Sequence, residues 1–198
     1  MTNYLSQQYG DIKRWASYWY QINEILVLKP KSVLVVGKGD GVVPVYLKTQ
    51  GLNVTTLDND KSLDPDIEAS VLNMPISDIG FDAVLCAEVL EHFSYDEFDK
   101  ALFEIKRVAK IGAVISLPHF GPTIKFLLKL PFFPEIKILW KLPYPRKHIF
   151  NGEHYWEIGK KGYSLRKIKS EFKKIGFSIK KDFIVFENPL HHFFVLKK

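Results

Sequence analysis

A strand-like run, a turn rich in glycine and a helix-like run follow one another at Ser32–Val36, Gly37-Lys38-Gly39-Asp40-Gly41 and residues 42–50. Glycine lets a ligand approach the backbone closely, and the first turn of a helix offers N–H groups that the helix itself does not use. Asp58 ends the next β-branched run, where a carboxylate can accept both hydroxyls of a ribose. The chemistry is therefore retention of a nucleotide-like cofactor. Dinucleotide proteins use G-x-G-x-x-G/A, in which the third small residue lets helix and strand pack closely. Here that position is Val42, and Gly41 makes the pattern G-x-G-x-G instead.

The elements that position these residues can be read from periodicity. Trp15, Trp19, Ile22 and Leu26 recur on one face of a helix and read as core; Lys29-Pro30-Lys31 ends that helix before the first strand. Residues 42–50 form a helix with Pro44 in its first turn and Gly51 as its stop, and residues 53–57 form the next strand. A less regular stretch, residues 59–80, precedes an apolar strand over Phe81–Ala87. Ser94-Tyr95-Asp96-Glu97 has the form of a capping box, followed by Phe98, Leu102, Ile105 and Ala109 at helical spacing up to a stop at Gly112; residues 113–117 are the fifth strand. Residues 119–162, with prolines at 122, 131, 134, 143 and 145, are too long for an ordinary connection and read as a helical or irregular insertion. Ser164 then caps a last helix. Residues 177–186 and 192–196, joined by a turn at Glu187-Asn188-Pro189, read as an antiparallel pair, with His191 and His192 in the turn and without a role. The fold class is α/β: a doubly wound, mostly parallel sheet whose last strand runs against the others, in one domain over residues 1–198, with 1–29 as a helical cap. Ligands of such sheets sit at the carboxyl ends of the strands.

The formal net charge is +6, but residues 1–118 carry −5 and residues 119–198 carry +11. A basic second part suits an anionic small molecule, nucleic acid or an anionic membrane surface. The single cysteine, Cys86, excludes an internal disulfide framework, the polar start at residues 1–10 lacks a signal-peptide pattern, and no apolar run is long enough for a membrane span. The expectation is a cytoplasmic protein.

The ordered set Val33-Leu34-Val35-Val36-Gly37-Lys38-Gly39-Asp40-Gly41, then Asp58, then Phe81-Asp82-Ala83-Val84-Leu85-Cys86-Ala87-Glu88-Val89-Leu90-Glu91-His92, with Arg107-Val108 before Gly112 and the strand to Pro118, resembles the class I S-adenosylmethionine (SAM)-dependent methyltransferases, in particular the methyltransferase domain 11 branch. The resemblance covers about residues 30–118. It implies a Rossmann-like sheet of seven strands, SAM as cofactor with S-adenosylhomocysteine as product, and no metal. It further implies that Gly37, Lys38, Gly39 and Gly41 pass beneath SAM, that Asp58 holds the ribose with Asn59 beside the adenine, that Leu72 and Asn73 border the adenine, and that Glu88 and Val89 lie near the methionine end. Val35 and Ser70 depart from the family pattern, standing where acidic residues are common.

Methyl transfer from a sulfonium is a direct displacement, which needs alignment and exclusion of water more than acid–base chemistry. A base helps where the acceptor arrives protonated, and imidazole suits neutral pH. His119, just after the fifth strand, and His154, inside the insertion, are the candidates for it. His92 is read as a brace for the following helix. The apolar, lysine-bearing segment from Ile124 to Leu142 is read as a lid over a small-molecule acceptor, with a dimer surface or a peripheral membrane contact as alternatives. Two other functions stay open: RNA binding or methylation, on the basic charge and on Trp140, Tyr144 and Trp156, and SAM binding without catalysis. No Asn-Pro-Pro-Tyr-type base-methylation motif follows Ala87.

Overall fold

The computed structural model describes residues 11–198; the leader reading of residues 1–10 and the first part of the cap lie outside them. Helix α1 (Ile12–Val27) begins where the Asp11 carboxylate accepts the Arg14 N–H at 2.9 Å. Then come β1 (Ser32–Val36), α2 (Val42–Thr49), β2 (Asn53–Asp58), the short β3 (Ile67–Glu68) and β4 (Phe81–Ala87). Helix α3 (Phe98–Val108) leads into β5 (Ala109–Pro118); β6 (Thr123–Leu128) and β7 (Ile136–Lys141) follow, then α4 (Leu165–Lys174), β8 (Ser178–Ile184) and β9 (His191–Lys197).

The main sheet has seven strands in the order β3-β2-β1-β4-β5-β9-β8. The pairs from β3 to β5 are parallel, whereas β9 runs antiparallel to both β5 and β8. Successive residues of a strand face opposite sides of a sheet, and the core divides accordingly. Val33, Val35, Leu85 and Val114 pack with Tyr18 and Ile25 of α1 and Val43 and Leu47 of α2. Leu34, Val36, Val84 and Ile115 pack with Phe98, Leu102 and Ile105 of α3 and Ile168 and Phe172 of α4. The strand order reverses between β1 and β4, where a doubly wound sheet opens a crevice for ligands.

Three local readings are corrected. Trp15 and Trp19 are not core: they are 53% and 57% exposed, and the buried face of α1 carries Ser17, Tyr18, Gln21, Glu24 and Ile25. Two polar members of that face, Ser17 and Glu24, are met by residues near the carboxyl end of the chain. The Ser17 hydroxyl accepts from the Asn188 amide at 3.1 Å, and Lys181 lies 2.5 Å from Glu24. Gly112 does not stop α3; it lies within β5, opposite Lys197, where a Cβ would come within 2.0 Å of the Leu196 carbonyl oxygen. It is glycine because two strand backbones meet there.

The insertion is neither helical nor irregular throughout. β6 and β7 pair in register from Thr123↔Lys141 to Leu128↔Ile136, with Pro131 and Pro134 confined to the connection. Closely spaced β-branched, aromatic and leucine residues suit paired strands. The Lys141 ammonium secures the base of this ribbon by donating to the carbonyls of His119 (2.6 Å) and Gly121 (3.0 Å), and burial pulls its pKa down to about 8. The far end is open: Phe132 is fully exposed, and Leu127, Leu130 and Phe133 are about half exposed or more. Among the described residues no helix is long and apolar enough to cross a membrane.

Candidate active site

A cavity of about 350 Å³ opens at the carboxyl ends of β1, β2 and β4. Its floor is the turn after β1. Gly37 has φ +82°, and a Cβ there would lie 2.4 Å from Val89 Cγ2, so glycine at this position brings the β1 turn against the residue that follows Glu88. The Asp40 carboxylate accepts the Val42 N–H (3.1 Å) at the start of α2 and the Tyr18 hydroxyl (2.6 Å), coupling α1 to the turn. Asp58 is oriented by two backbone donors, Lys38 N–H at 2.8 Å and Asp60 N–H at 3.0 Å, one to each oxygen. The glycine turn and the carboxylate at the end of β2 are thus one hydrogen-bonded unit.

Opposite stands Glu88, directly after β4, with φ +53°. A left-handed conformation in a residue other than glycine costs of order 1–3 kcal/mol and persists only when its surroundings impose it. Here Ser116 of β5 imposes it twice: its carbonyl accepts the Glu88 N–H at 3.1 Å, and its hydroxyl donates to Glu88 Oε1 at 2.7 Å. The other carboxylate oxygen lies 3.7 Å from His191 Nε2. The third wall is Ala69, Ser70 and Val71. Arg107 of α3 holds the end of that irregular stretch, donating to the carbonyls of Met74 (3.1 Å) and Ile76 (2.6 Å) and pairing with Glu104 at 2.7 Å.

Gly37, Lys38, Gly39, Asp58, Asn59, Glu88 and Val89 all line this cavity. Gly41, Leu72 and Asn73 do not: Gly41 is the N-cap of α2, Leu72 packs against the core, and Asn73 is exposed. Ser70 and Val71 line it instead, the Ser70 hydroxyl accepting the Leu72 N–H at 3.2 Å.

Neither histidine expected as a base reaches the cavity. His119 is buried beyond β5, its Nδ1 2.9 Å from Nδ1 of His192 in β9; His192 in turn bonds Asp182 at 3.3 Å, and Asp182 pairs with Lys169 at 2.7 Å. Burial holds the pKa of His119 down at about 3 and that of His192 at about 4, the Asp182 carboxylate opposing the second shift. Both rings are neutral in the fold and protonated in an unfolded chain below about pH 6.5. Their contribution to stability is therefore complete above that pH and lost as pH falls toward the folded values. Between pH 6.5 and 5, His119→Gln is expected to lose stability less steeply than the native chain, by up to about 1.4 kcal/mol per pH unit. Urea denaturation across that range checks this, and equal slopes would contradict it.

His154 is also outside the cavity. Its Nδ1 bonds Glu157 at 3.2 Å, which raises its pKa against the effect of burial, and its Nε2 lies 3.9 Å from Glu91. Residues 119–162 contribute nothing to the cavity wall, so the β6–β7 ribbon does not cover it as a lid would. Trp156 is fully buried, which removes it as a stacking platform for bases.

Several lining residues were not expected. Arg14, Ser17, Tyr18 and Gln21 come from α1, and His92 and His191 bring two imidazoles. The α1 residues could have been found from their spacing, since Arg14, Tyr18 and Gln21 share a helical face on which polar side chains would otherwise be out of place. His191 carries a topological signal: the first residue of an antiparallel strand lies level with the last residues of its parallel neighbours, as its register with Pro118 shows.

Residues 34–117 match the family described as "Methyltransferase domain". An uncharacterized protein of Methanocaldococcus jannaschii is 38% identical over 118 residues, 56% of this chain; the chain spans about half (50%) of the length of that relative. Magnesium protoporphyrin IX methyltransferase from Synechocystis, solved with SAM, superposes with a TM-score of 0.64 at 13% identity, covering 97% of this chain and 88% of that one. The 1,6-didemethyltoxoflavin-N1-methyltransferase of Burkholderia thailandensis, solved with its substrate and S-adenosylhomocysteine, superposes at 0.62 with 16% identity, covering 93% and 80%. Residues 34–117 thus match the model of that domain, and the chain as a whole shares the class I, Rossmann-like fold of these methyltransferase structures.

Proposed function

We propose that the chain transfers the methyl group of SAM to a small-molecule acceptor at oxygen or nitrogen. The observation that carries this reading is the unit made by the glycine turn and Asp58 at the β1/β4 switch point, closed on its far side by Glu88. In this reading Gly37, Lys38 and Gly39 run under the cofactor, Asp58 accepts the ribose hydroxyls, and Asn59 and Ser70–Val71 flank the adenine. Glu88 faces the methionine end, where a fixed carboxylate suits the α-ammonium group. SAM, when bound, would supply its methyl group by displacement at the sulfonium, leaving S-adenosylhomocysteine; a proton would have to leave an acceptor hydroxyl, or the methylated ammonium formed when a neutral amine is the acceptor. His92 and His191, which line the cavity, replace His119 and His154 as candidates to receive it. The exposed ribbon, with Phe132 and Phe133 beside Lys129, supports a surface contact for that segment in preference to a lid.

Isothermal titration tests the cofactor assignment: SAM and S-adenosylhomocysteine are each expected to bind at one site per chain, and absence of binding at millimolar concentration would sink the proposal. Methyl-labelled SAM incubated with candidate acceptor pools then separates an enzyme, which transfers label, from a protein that only holds the cofactor.

A further inference from the structure

Glu91 lies in the 3-10 turn Leu90–His92, is fully buried, and among the described residues neither of its carboxylate oxygens has a hydrogen-bond partner. Buried carboxylates are otherwise met by donors or by a cation. His154 Nε2 lies 3.9 Å from Oε1. The ring of His92 meets that of His154 edge-on at 5.3 Å, and Glu91, His92 and His154 each offer one ligand atom within 4.8 Å of the others.

The two imidazoles are prepared in the same way. His92 Nδ1 bonds the Glu153 carbonyl oxygen at 3.0 Å, and His154 Nδ1 bonds the Glu157 carboxylate at 3.2 Å. Both partners only accept, so each Nδ1 donates, and in the neutral ring Nε2 is the nitrogen that keeps its lone pair. An oxygen behind the far ring nitrogen is the arrangement that orients histidines toward metals and makes them better donors. Burial pushes the Glu91 carboxyl well up from its usual range, and a bound cation would draw out the matching negative charge.

We propose that Glu91, His92 and His154 bind one divalent transition-metal ion beside the cofactor cavity, which His92 also lines. Two imidazole nitrogens and one carboxylate oxygen suit zinc, iron, cobalt or manganese; magnesium and calcium prefer sets of oxygen alone. Three protein ligands leave coordination positions for water or for an acceptor hydroxyl. Resting on the methyl-transfer reading, with His191 and not the metal-bound His92 left to receive a proton, the ion would lower the pKa of such a hydroxyl at the cavity wall. This departs from the metal-free expectation carried by the family resemblance.

The test uses the full chain, stripped with chelator and titrated with Co²⁺ while visible absorption is recorded, with Zn²⁺ and Mn²⁺ followed by calorimetry. One equivalent of cobalt with d–d bands is expected, weakened about tenfold or more in His154→Ala and in Glu91→Gln. His92→Ala, at an exposed position, serves should either of those not fold, with the same loss expected. No stoichiometric binding of any of the three ions by the native chain would overturn the site, as would equal binding by the native chain and the variants. SAM is titrated separately without metal. Loss of SAM binding with cobalt binding intact sinks only the methyl-transfer reading, and the reverse sinks only the metal site.

Discussion

Asp58→Ala is expected to weaken SAM binding by about 100-fold or more while leaving the fold in place. Both oxygens of Asp58 are fixed by backbone donors, Lys38 N–H at 2.8 Å and Asp60 N–H at 3.0 Å, so the carboxylate meets a ligand already oriented. Hydrogen bonds to a charged acceptor contribute about 1.5–3 kcal/mol each, and two to a ribose sum to several kcal/mol, or more than two decades in affinity. The residue is half-buried at a strand end, so water can take the amides that alanine leaves unpaired. Asp58→Asn keeps the shape, loses the charge and falls between the two. Calorimetric titration of SAM reads the change directly. Affinity of the alanine variant within threefold of native, in a variant whose thermal unfolding is unchanged, would remove Asp58 from the cofactor site.

The largest loss of stability is expected at Trp156. The side chain is fully buried, with ring centroids 5.0 Å from Phe98 and 5.1 Å from Tyr95, and its indole N–H donates to the Phe93 carbonyl at 3.1 Å. Replacing a buried tryptophan by alanine costs about 3–5 kcal/mol, and the orphaned carbonyl adds about 1 kcal/mol. Against a total of about 5–15 kcal/mol for a domain, that leaves a chain partly unfolded at moderate temperature. Trp156→Phe retains most of the packing and is expected to recover more than half of the loss. Urea denaturation measures both, and a cost below about 1 kcal/mol for alanine would mean that residues 119–162 do not share the core of the sheet.

Where one residue pattern has one structural solution, the sequence was sufficient. The β-branched run before Gly37, the glycine turn and Asp58 at the next strand end each required a strand, a turn and a strand end, and the cavity forms where those meet. Errors arose where the same pattern has two solutions. Trp15 and Trp19 have helical spacing, but so do Tyr18, Gln21 and Ile25, and it is this second side that faces the sheet, where Asp40 meets Tyr18, Asn188 meets Ser17 and Lys181 meets Glu24. Apolar residues from Ile124 to Leu142 could cover a cavity or form a ribbon, and only the cross-strand register of β6 and β7 decides. His119 was placed correctly at a strand end, but pleat alternation, which the end position does not reveal, turned its ring toward His192. The Glu91 cluster could not be read at all from spacing, since His154 lies 63 positions away and is brought over by the Tyr155 N–H donating to the Glu91 carbonyl at 2.8 Å.

The position of β9 has a consequence for synthesis of the chain. β9 lies between β5 and β8 and supplies Phe193 and Phe194 to opposite faces of the core, so β8 has no place in the sheet until residues 191–197 have left the ribosome. Until then the edge of β5 is an unpaired row of backbone donors and acceptors, open to the wrong partner. Elements up to β5 can associate as they emerge, but completion is a late, long-range event of the kind that folds slowly and exposes intermediates to aggregation. A nascent chain stalled before residue 191 is therefore expected to be a client for chaperones, and one released beyond residue 197 is not.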